Sequence, residues 1–268
     1  MSRTILSIGI HGASGRMGTR LIQLIAEDPG LKLGAALVRE GHPDMDRDAG
    51  TRAGIAPTGI LLSSSLPNSP AIDVMIDFSL PPAVSSVTEI CRARKVPLVV
   101  GTTGLSPATR SELEKAAAQI PILAAPNMSR AVNLLMKLVG EAALSLGSSA
   151  DIAIIERHHK TKKDAPSGTA LRLAECAGRG NAHAAARLVS GDPGADDRAR
   201  PGEIAIHALR MADCPGEHTV VFGLPGETVE LSHRALNRDG FVRGALDCAK
   251  FLAGKPAGMY TMNDVLGY

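Results

Sequence analysis

The chain contains 268 residues with a formal net charge of +2, of which 44% are hydrophobic and 21% are charged. This length exceeds the usual size of one hydrophobic core and predicts two domains, while the apolar content excludes extended disorder. There is no Trp, with only two Tyr and four Phe, and this composition together with the small net charge argues against a nucleic acid partner.

The sequence contains four cysteines, Cys91, Cys176, Cys214 and Cys248. They form no Cys-x-x-Cys pair and no zinc spacing, which predicts reduced thiols in a cytoplasmic protein. The first residues, MSRTILSIGIHG, carry one basic residue and no small-residue cleavage site, so they predict a first strand rather than a secretion signal. No apolar run approaches the roughly 20 residues of a membrane helix. We therefore expect a soluble, cytoplasmic protein without a membrane partner.

Short β-rich runs alternate with helical stretches from residue 4 to about residue 125. This alternation predicts a parallel sheet with helices on both faces, and the strands are apolar throughout, as a sheet covered on both sides requires. We therefore predict an α/β, Rossmann-type first domain. Its predicted strands are TILSIGI, LKLGAALV, IDVMIDF, VPLVVG and PILAAP, and its predicted helices are GRMGTRLIQLIAE, PAVSSVTEICRAR and SPATRSELEKAAAQ.

A glycine-rich segment, Gly12-Ala-Ser-Gly15-Arg-Met-Gly18, follows the first predicted strand and leads into an amphipathic helix. The strict G-x-G-x-x-G pattern is not met, because Ala13 stands where its first Gly would fall. The strand, turn and helix start nevertheless predict that backbone N–H groups and the positive helix end face a pyrophosphate. A plain tight turn between strand and helix is the alternative.

Three further segments extend this predicted cofactor site. Rossmann sites for NAD place an acid at the end of the second strand, where it binds the ribose 2′-OH. Here Val38 offers no acceptor, whereas Arg39 can pair with a 2′-phosphate, so we predict a preference for NADPH with NADH still possible. Gly101-Thr-Thr-Gly104 and Ala125-Pro-Asn-Met128 follow later strands at the sheet edge where open α/β sheets bind their ligands.

The pattern changes after Asn127 and predicts a smaller α+β domain with a mostly antiparallel or mixed sheet. Residues 178–202 have no clear periodicity and predict a long surface loop. The predicted helices are RAVNLLMKLVGEAALSL and TALRLAECA, the predicted strands are DIAIIER, EIAIHALR, HTVVFGL and ETVELSHRA, and one more helix, VRGALDCAKFLAG, precedes the C-terminal tail.

Residues 156–169, ERHHKTKKDAPSGT, crowd two histidines and three lysines into a short stretch before a helix start. Repulsion among these cations costs free energy, so the stretch predicts a bound anion. His158 can act in acid/base chemistry, and Lys162 can deliver a proton or hold an oxyanion. If the stretch turns helically, these two residues share one face at positions i and i+4.

The helix start after this stretch predicts a carboxylate site. Ser167 suits the N-cap, and the N–H groups of Gly168 and Thr169 with the threonine hydroxyl would bind the carboxylate. A solvated basic face or a patch that binds polyanions is the alternative. Zinc binding by His158 and His159 is disfavoured, because adjacent side chains diverge and no third ligand stands nearby, so we predict no metal.

Together these motifs resemble one known family. GASGRMG, VVGTTG, AAPNMS and HHKTKKDAPSGTA, with EHTVVF, ELSHRA and YTMNDVL, are similar to dihydrodipicolinate reductases essentially from end to end. The resemblance implies an NAD(P)H-dependent reductase that converts 4-hydroxy-tetrahydrodipicolinate to tetrahydrodipicolinate in the diaminopimelate branch of lysine synthesis. It also implies a small dicarboxylate substrate and a homotetramer assembled through the sheet of the second domain.

The resemblance further implies domain roles and site residues. Residues 1–127, rejoined by residues 240–268, would bind the dinucleotide, and residues 128–239 would bind substrate and form the oligomer. His158 matches the acid/base histidine of the family and Lys162 its proton donor. The implied substrate contacts are His159, Gly168 and Thr169, and the implied cofactor contacts are Gly12, Ala13, Ser14, Gly15, Arg16, Met17, Arg39, Gly101, Thr102, Thr103, Ala125, Pro126, Asn127 and Met128.

Three positions depart from the family pattern. Val38 replaces an acid found in members that accept NADH, and Leu80 stands where some members place an arginine near the cofactor, so both disfavour NADH. Ala131 stands where a glycine is usual. Two other hypotheses stay open: another NADP-linked oxidoreductase of an amino-dicarboxylate, and a non-catalytic NADP-binding sensor that docks an acidic partner or nucleic acid through its basic stretch.

Overall fold

The computed structural model describes residues 5–68, 71–180, 185–188 and 203–268. The chain divides into two compact units, of which the first combines Met1–Arg130 with Asp239–Tyr268 and the second is Ala131–Arg238. The binding roles given above to the two domains stay predictions. Within the described ranges, no helix has the length and apolar character needed to cross a membrane.

The strands and helices are numbered in chain order. The strands are β1 (Leu6–His11), β2 (Leu31–Leu37), β3 (Leu62–Ser63), β4 (Val74–Asp77), β5 (Leu98–Val100), β6 (Pro121–Ala124), β7 (Asp151–His158), β8 (Ala185–Leu188), β9 (Glu203–Arg210), β10 (Glu217–Leu224), β11 (Glu227–Arg234) and β12 (Gly258–Tyr260). The helices are α1 (Arg16–Glu27), α2 (Ala49–Arg52), α3 (Val84–Arg94), α4 (Pro107–Ala117), α5 (Arg130–Leu146), α6 (Gly168–Gly180), α7 (Asp239–Leu252) and α8 (Met262–Leu266).

A seven-stranded sheet in the order β12-β6-β5-β4-β1-β2-β3 forms the first unit, and every neighbouring pair is parallel. Successive side chains of a strand point to opposite faces, and both faces of β4 are buried. Val74 and Ile76 join the apolar cluster that contains α1 and α7 residues, whereas Met75 joins the cluster that contains α3 and α4 residues. The predicted Rossmann-type sheet with helices on both faces is confirmed.

A five-stranded mixed sheet in the order β11-β10-β7-β9-β8 forms the second unit. Strand β10 runs antiparallel to β7 and β11, while β9 runs parallel to β7 and β8. One face packs against α5 and α6, whose buried residues Val139 and Leu173 share a cluster with Ile154 of β7 and Phe222 of β10. The predicted α+β domain with a mixed sheet is confirmed.

The long surface loop predicted for residues 178–202 is wrong in part. Helix α6 continues to Gly180, and Ala185–Leu188 forms β8, which pairs in parallel with β9. This segment lacks β-branched residues, so it has no strand signal of its own, and its strand forms through pairing with β9. The rest of the predicted loop, residues 181–184 and 189–202, lies outside the described residues.

Candidate active site

The glycine-rich turn of the first unit joins β1 to α1. Gly12 has a φ of +82°, and the N–H groups of Gly12 and Ala13 both donate to the carbonyl of Leu37 at 3.0 Å. The N–H of Gly15 donates to the carbonyl of Gly12 at 3.1 Å. A Cβ at Gly18 would overlap the Gly12 carbonyl oxygen and lie 2.7 Å from the Ala13 Cα. The turn therefore has the tight geometry and close helix packing that fit a dinucleotide.

These contacts show which groups of the turn face outward. The N-cap of α1 is Gly15, which has no side chain to cap the helix. Arg16 and Met17 begin the helix, where N–H groups have no intrahelical acceptor and the positive end of the helix dipole lies. Ser14 is half-buried, but Ala13 is fully buried. A phosphate bound here would contact backbone N–H groups rather than the side chain of Ala13.

The end of β2 presents the arginine expected to recognise a 2′-phosphate. Val38 is buried, and its N–H donates to the carbonyl of Ser63 at 2.9 Å. Arg39 and Glu40 are exposed, and no carboxylate of the described ranges forms an ion pair with Arg39. The guanidinium is therefore not occupied by Glu40 and can bind an anion from solvent.

The segments Gly101–Gly104 and Ala125–Met128 follow β5 and β6 at the carboxyl edge of the sheet, as predicted. A polar cluster that the sequence analysis missed lies at the same edge. Asp77, the last residue of β4, is fully buried; it accepts a hydrogen bond from Thr102 Oγ1 at 2.6 Å and lies 2.6 Å from His11 Nδ1. The sequence signal that could have revealed this cluster is the single acid within the apolar run VMID. Asp77 therefore fixes Thr102, a proposed cofactor contact.

Helix α7 supports the second of these loops. Met128 is 2% exposed, its side chain belongs to the core of the first unit, and a Cβ at Gly244 of α7 would overlap its carbonyl oxygen. The Asn127 side chain accepts from the N–H of Ser129 at 2.9 Å. Met128 therefore can reach a ligand only through its backbone. The close approach of α7 to the Met128 backbone therefore requires a glycine at position 244. No short-range sequence pattern indicated this contact.

In the second unit, the buried face of β7 changes from apolar to ionisable along the strand. Ile152 and Ile154 belong to the hydrophobic core, whereas Glu156 and His158 on the same face are a buried carboxylate and a buried imidazole. Their Oε2 and Nδ1 atoms lie 3.1 Å apart without the alignment of a hydrogen bond. The predicted proton-transfer residue His158 thus has a carboxylate neighbour that the sequence analysis missed.

Glu156 is held by two further donors. Its Oε1 accepts from the backbone N–H of Ser167 and from Arg210 Nη2, each at 3.0 Å, and Arg210 also donates to the carbonyl of Asp164 at 2.6 Å. Burial alone raises the pKa of the Glu156 carboxyl, but the contacts from His158, Ser167 and Arg210 more than offset it and bring the pKa to about 2. Glu156 is therefore an anion at physiological pH.

His218 of β10 adjoins this pair. Its ring stands edge-on to that of His158 with centroids 5.2 Å apart, and its Nε2 lies 3.3 Å from Ser167 Oγ. Burial, followed by the electrostatic effect of the neighbouring His158, lowers the pKa of His218 to about 3, so the His218 ring is neutral at physiological pH. Gly216 has a φ of +148°, and a Cβ there would lie 3.1 Å from His158 Nε2.

The cationic stretch beyond β7 forms a reverse turn. The helical turn that would place His158 and Lys162 on one face therefore does not form. The N–H of Lys162 donates to the carbonyl of His159 at 3.1 Å, and His159 Nδ1 lies 2.8 Å from Thr161 Oγ1. Lys162 Nζ donates to both carboxylate oxygens of Asp164 at 2.8 Å. Because of this lysine, Asp164 has a lowered pKa. Lys163 is exposed to solvent.

Helix α6 begins as predicted. Ser167 is the N-cap, because its Oγ accepts from the N–H of Ala170 at 3.2 Å and its carbonyl accepts from the N–H of Leu171. Gly168 is exposed and Thr169 is half-buried at the first two helical positions. The positive end of α6 therefore adjoins the cationic stretch, although the carboxylate contact itself stays a prediction.

One donor set in this cluster also suits a metal ion. Ligand atoms of Glu156, His158 and His218 all lie within 4.8 Å of one another, and transition metals use such nitrogen and oxygen ligands. Arg210 already contacts the carboxylate, and its positive charge disfavours a second cation there. The absence of a metal stays a prediction.

Two family profiles match the chain almost end to end. The N-terminal region of dihydrodipicolinate reductase matches residues 6–128, and the C-terminal region matches residues 131–266. A 4-hydroxy-tetrahydrodipicolinate reductase of Anaeromyxobacter sp. strain Fw109-5 is 45% identical over 268 residues, covering 98% of each chain. That of Anaeromyxobacter dehalogenans strain 2CP-1 is 44% identical over 263 residues, covering 96% of each.

A solved structure has the same fold. The dipicolinate-bound dihydrodipicolinate reductase of Paenisporosarcina sp. TG-14 matches with a TM-score of 0.77 at 24% identity, covering 96% of this chain and 98% of that one. The Rossmann-type sheet with its glycine turn and the relatives' shared name define an oxidoreductase of the NAD(P)H-dependent class. The chain belongs to the dihydrodipicolinate reductase family.

Proposed function

We propose that this protein reduces 4-hydroxy-tetrahydrodipicolinate to tetrahydrodipicolinate with NAD(P)H, a step of diaminopimelate and lysine synthesis. The observation that carries the proposal is the 45% identity over 98% of the chain to a relative with that name. The second unit supports it independently, because residues 156–169 combine proton-transfer groups with cations and a helix N-terminus suited to a small dicarboxylate.

The reaction consumes one hydride and one proton and releases one water. A reduced nicotinamide held at the glycine-rich turn would supply the hydride to ring carbon C4, and the C4 hydroxyl would leave as water. His158 and Lys162 are the groups proposed to provide the proton, and Asp164 holds the lysine in place through two hydrogen bonds. His159, Gly168 and Thr169 are proposed to bind the substrate carboxylates, so that the ring is oriented by charge-assisted hydrogen bonds.

The test is an assay with purified protein and the fresh condensation product of pyruvate and aspartate semialdehyde. We expect the absorbance of the reduced nicotinamide to fall only when that product is present. Turnover of a different amino-dicarboxylate instead would support another NADP-linked oxidoreductase. Cofactor binding without turnover of any of these substrates would identify the non-catalytic sensor.

We propose that the enzyme prefers NADPH to NADH through Arg39. A partly exposed contact between the guanidinium and the 2′-phosphate is worth about 1 to 2 kcal/mol, which corresponds to a roughly five- to thirtyfold preference in kcat/KM. We expect Arg39→Ala to abolish most of this preference, measured as kcat/KM for each cofactor. Val38 is buried, so a glutamate in its place would also lose the hydration of its carboxylate. Val38→Glu is therefore a less specific test of cofactor preference than Arg39→Ala.

Arg110 of α4 provides the matched control, because it is also exposed and its Nε donates to the carbonyl of Leu105 at 3.4 Å. Arg110→Ala should leave the cofactor ratio unchanged. A wild-type preference for NADH, or an Arg39→Ala variant with the wild-type ratio, would contradict the proposal.

We propose that Thr169 binds a substrate carboxylate at the start of α6. A hydrogen bond to a charged group contributes about 1.5 to 3 kcal/mol, so Thr169→Val should raise KM for the substrate about 10- to 150-fold while KM for the cofactor stays unchanged. Thr219→Val is the matched control, because Thr219 lies in the same unit and its hydroxyl contacts Ser232 at 2.9 Å. An equal rise in both KM values would indicate a folding defect instead.

We also propose a homotetramer assembled through the sheet of the second unit. Helices pack on one face of this sheet, whereas Ile155 and Val221 on the other face are half-buried. A second copy of the sheet would bury these apolar side chains. Light scattering of the purified protein measures the mass directly. The cytoplasmic location stays a prediction.

A further inference from the structure

We propose that Glu156 is a positioning residue that orients the ring of His158 and anchors the loop carrying Lys162. This inference rests on the proposed function, because it concerns the same proton-transfer site. In this arrangement one buried carboxylate, and not the cationic stretch alone, holds both proton-transfer groups in place.

The first part concerns the ring of His158. Glu156 Oε2 lies 3.1 Å from Nδ1, and the other ring nitrogen, Nε2, lies towards Gly216. An anion beside Nδ1 favours a proton on that nitrogen, so proton exchange with a ligand takes place at Nε2. The missing side chain of Gly216 leaves space beside Nε2, where a Cβ would stand only 3.1 Å away.

The second part concerns the loop between β7 and α6. Glu156 Oε1 accepts from the Ser167 N–H at the end of the loop and from Arg210, which donates in turn to the carbonyl of Asp164. The side chain of Asp164 binds Lys162 through both oxygens. A continuous series of contacts therefore links the buried carboxylate to the lysine.

The surrounding charges are consistent with this role. Glu156 is fully buried, and an unpaired charge there would be strongly unfavourable, yet its partners keep it ionised. His218 is neutral and does not compete with His158 for the anion. The titratable or charged groups that surround this cluster are Glu156 and His158 on β7, Arg210 at the end of β9, His218 on β10, His233 on β11, and Lys162 and Asp164 on the loop.

The decisive comparison is Glu156→Gln with Glu217→Gln. Glutamine keeps the size and one oxygen acceptor but removes the charge. We expect Glu156→Gln to lower kcat about 10- to 100-fold, with KM for the cofactor unchanged. The pH profile of kcat should change as well, because the negative charge that lies 3.1 Å from His158 Nδ1 is removed. A purely structural role would not move that profile.

Glu217 is the control because it lies on the neighbouring strand and forms ion pairs with Arg157 and Arg234 at 3.4 and 3.0 Å. Glu217→Gln should keep the wild-type kcat and pH profile. Glu156→Asp keeps the negative charge but shortens the side chain by one methylene, so it should lose less activity than Glu156→Gln. If Glu156→Gln does not fold by circular dichroism, Glu156→Asp with wild-type kcat and profile overturns the inference.

The outcomes separate the two proposals. A wild-type protein without activity on the condensation product refutes the proposed function. An active wild type with Glu156→Gln indistinguishable from Glu217→Gln leaves that function intact and overturns the role of Glu156. Stoichiometric zinc in the purified protein, with activity lost to a chelator, also overturns it, because Glu156, His158 and His218 would then be metal ligands.

Discussion

Lys162→Ala is expected to lower kcat by roughly 10²- to 10⁴-fold, because a positioned proton donor contributes about that factor to the rate. The change should have little effect on stability. Lys162 lies in a partly exposed reverse turn and forms an ion pair with the exposed carboxylate of Asp164, an arrangement that contributes little to folding. Steady-state kinetics and thermal unfolding of the same preparation measure both effects.

His158→Gln should show a comparable loss of kcat together with a lower melting temperature. His158 is buried beside Glu156, so its removal deprives a buried carboxylate of one of its partners. Lys163→Ala is the control for both variants, because this neighbouring lysine is exposed. Near-normal turnover in both Lys162→Ala and His158→Gln would show that these residues do not transfer the proton.

Gly18→Ala is expected to impair both cofactor binding and folding of the first unit. The added Cβ would overlap backbone atoms of Gly12 and Ala13, and backbone cannot move aside as a flexible side chain can. Overpacking of this kind costs about 1 to 3 kcal/mol. Displacement of α1 from the turn should also raise the cofactor dissociation constant on the order of tenfold, the equivalent of about 1.4 kcal/mol.

Gly140→Ala is the matched control, because Gly140 also lies inside a helix and its added Cβ would make an ordinary contact at 3.6 Å from the Cys176 carbonyl. Alanine is the better helix former there, so this variant should be unchanged or slightly more stable. Calorimetry and cofactor titration compare the two variants. A Gly18→Ala protein with wild-type stability and affinity would contradict the proposed packing of the turn.

The fold could be predicted largely because its elements carry local signals. The apolar strands and amphipathic helices before Asn127 alternate along the chain, and Ser167 marks the start of α6 by its own chemistry. Strand β8 could not be predicted in this way. Ala185–Leu188 has no β-branched residue, and it becomes a strand through pairing with β9, which is separated in sequence.

The candidate site was predictable only where its residues are adjacent in sequence. His158 and Lys162 stand in one conspicuous cationic run, which the sequence analysis could single out. Glu156, Arg210 and His218 come together only when β7 pairs with β9 and β10, which sets Glu156 opposite His218 and His158 opposite Arg210. Register between distant strands depends on the whole sheet, so no local pattern reports it.

The division of the chain has a consequence for the order of folding. Helix α7 buries residues such as Val242, Ala245 and Leu252 in the core of the first unit, and β12 completes the sheet edge beside β6. During synthesis from the N-terminus, the first 130 residues emerge while one face of their sheet still lacks this helix. The second unit is continuous in sequence, so it is available to fold earlier, and this face of the first unit is covered only after Asp239–Leu252 has been translated.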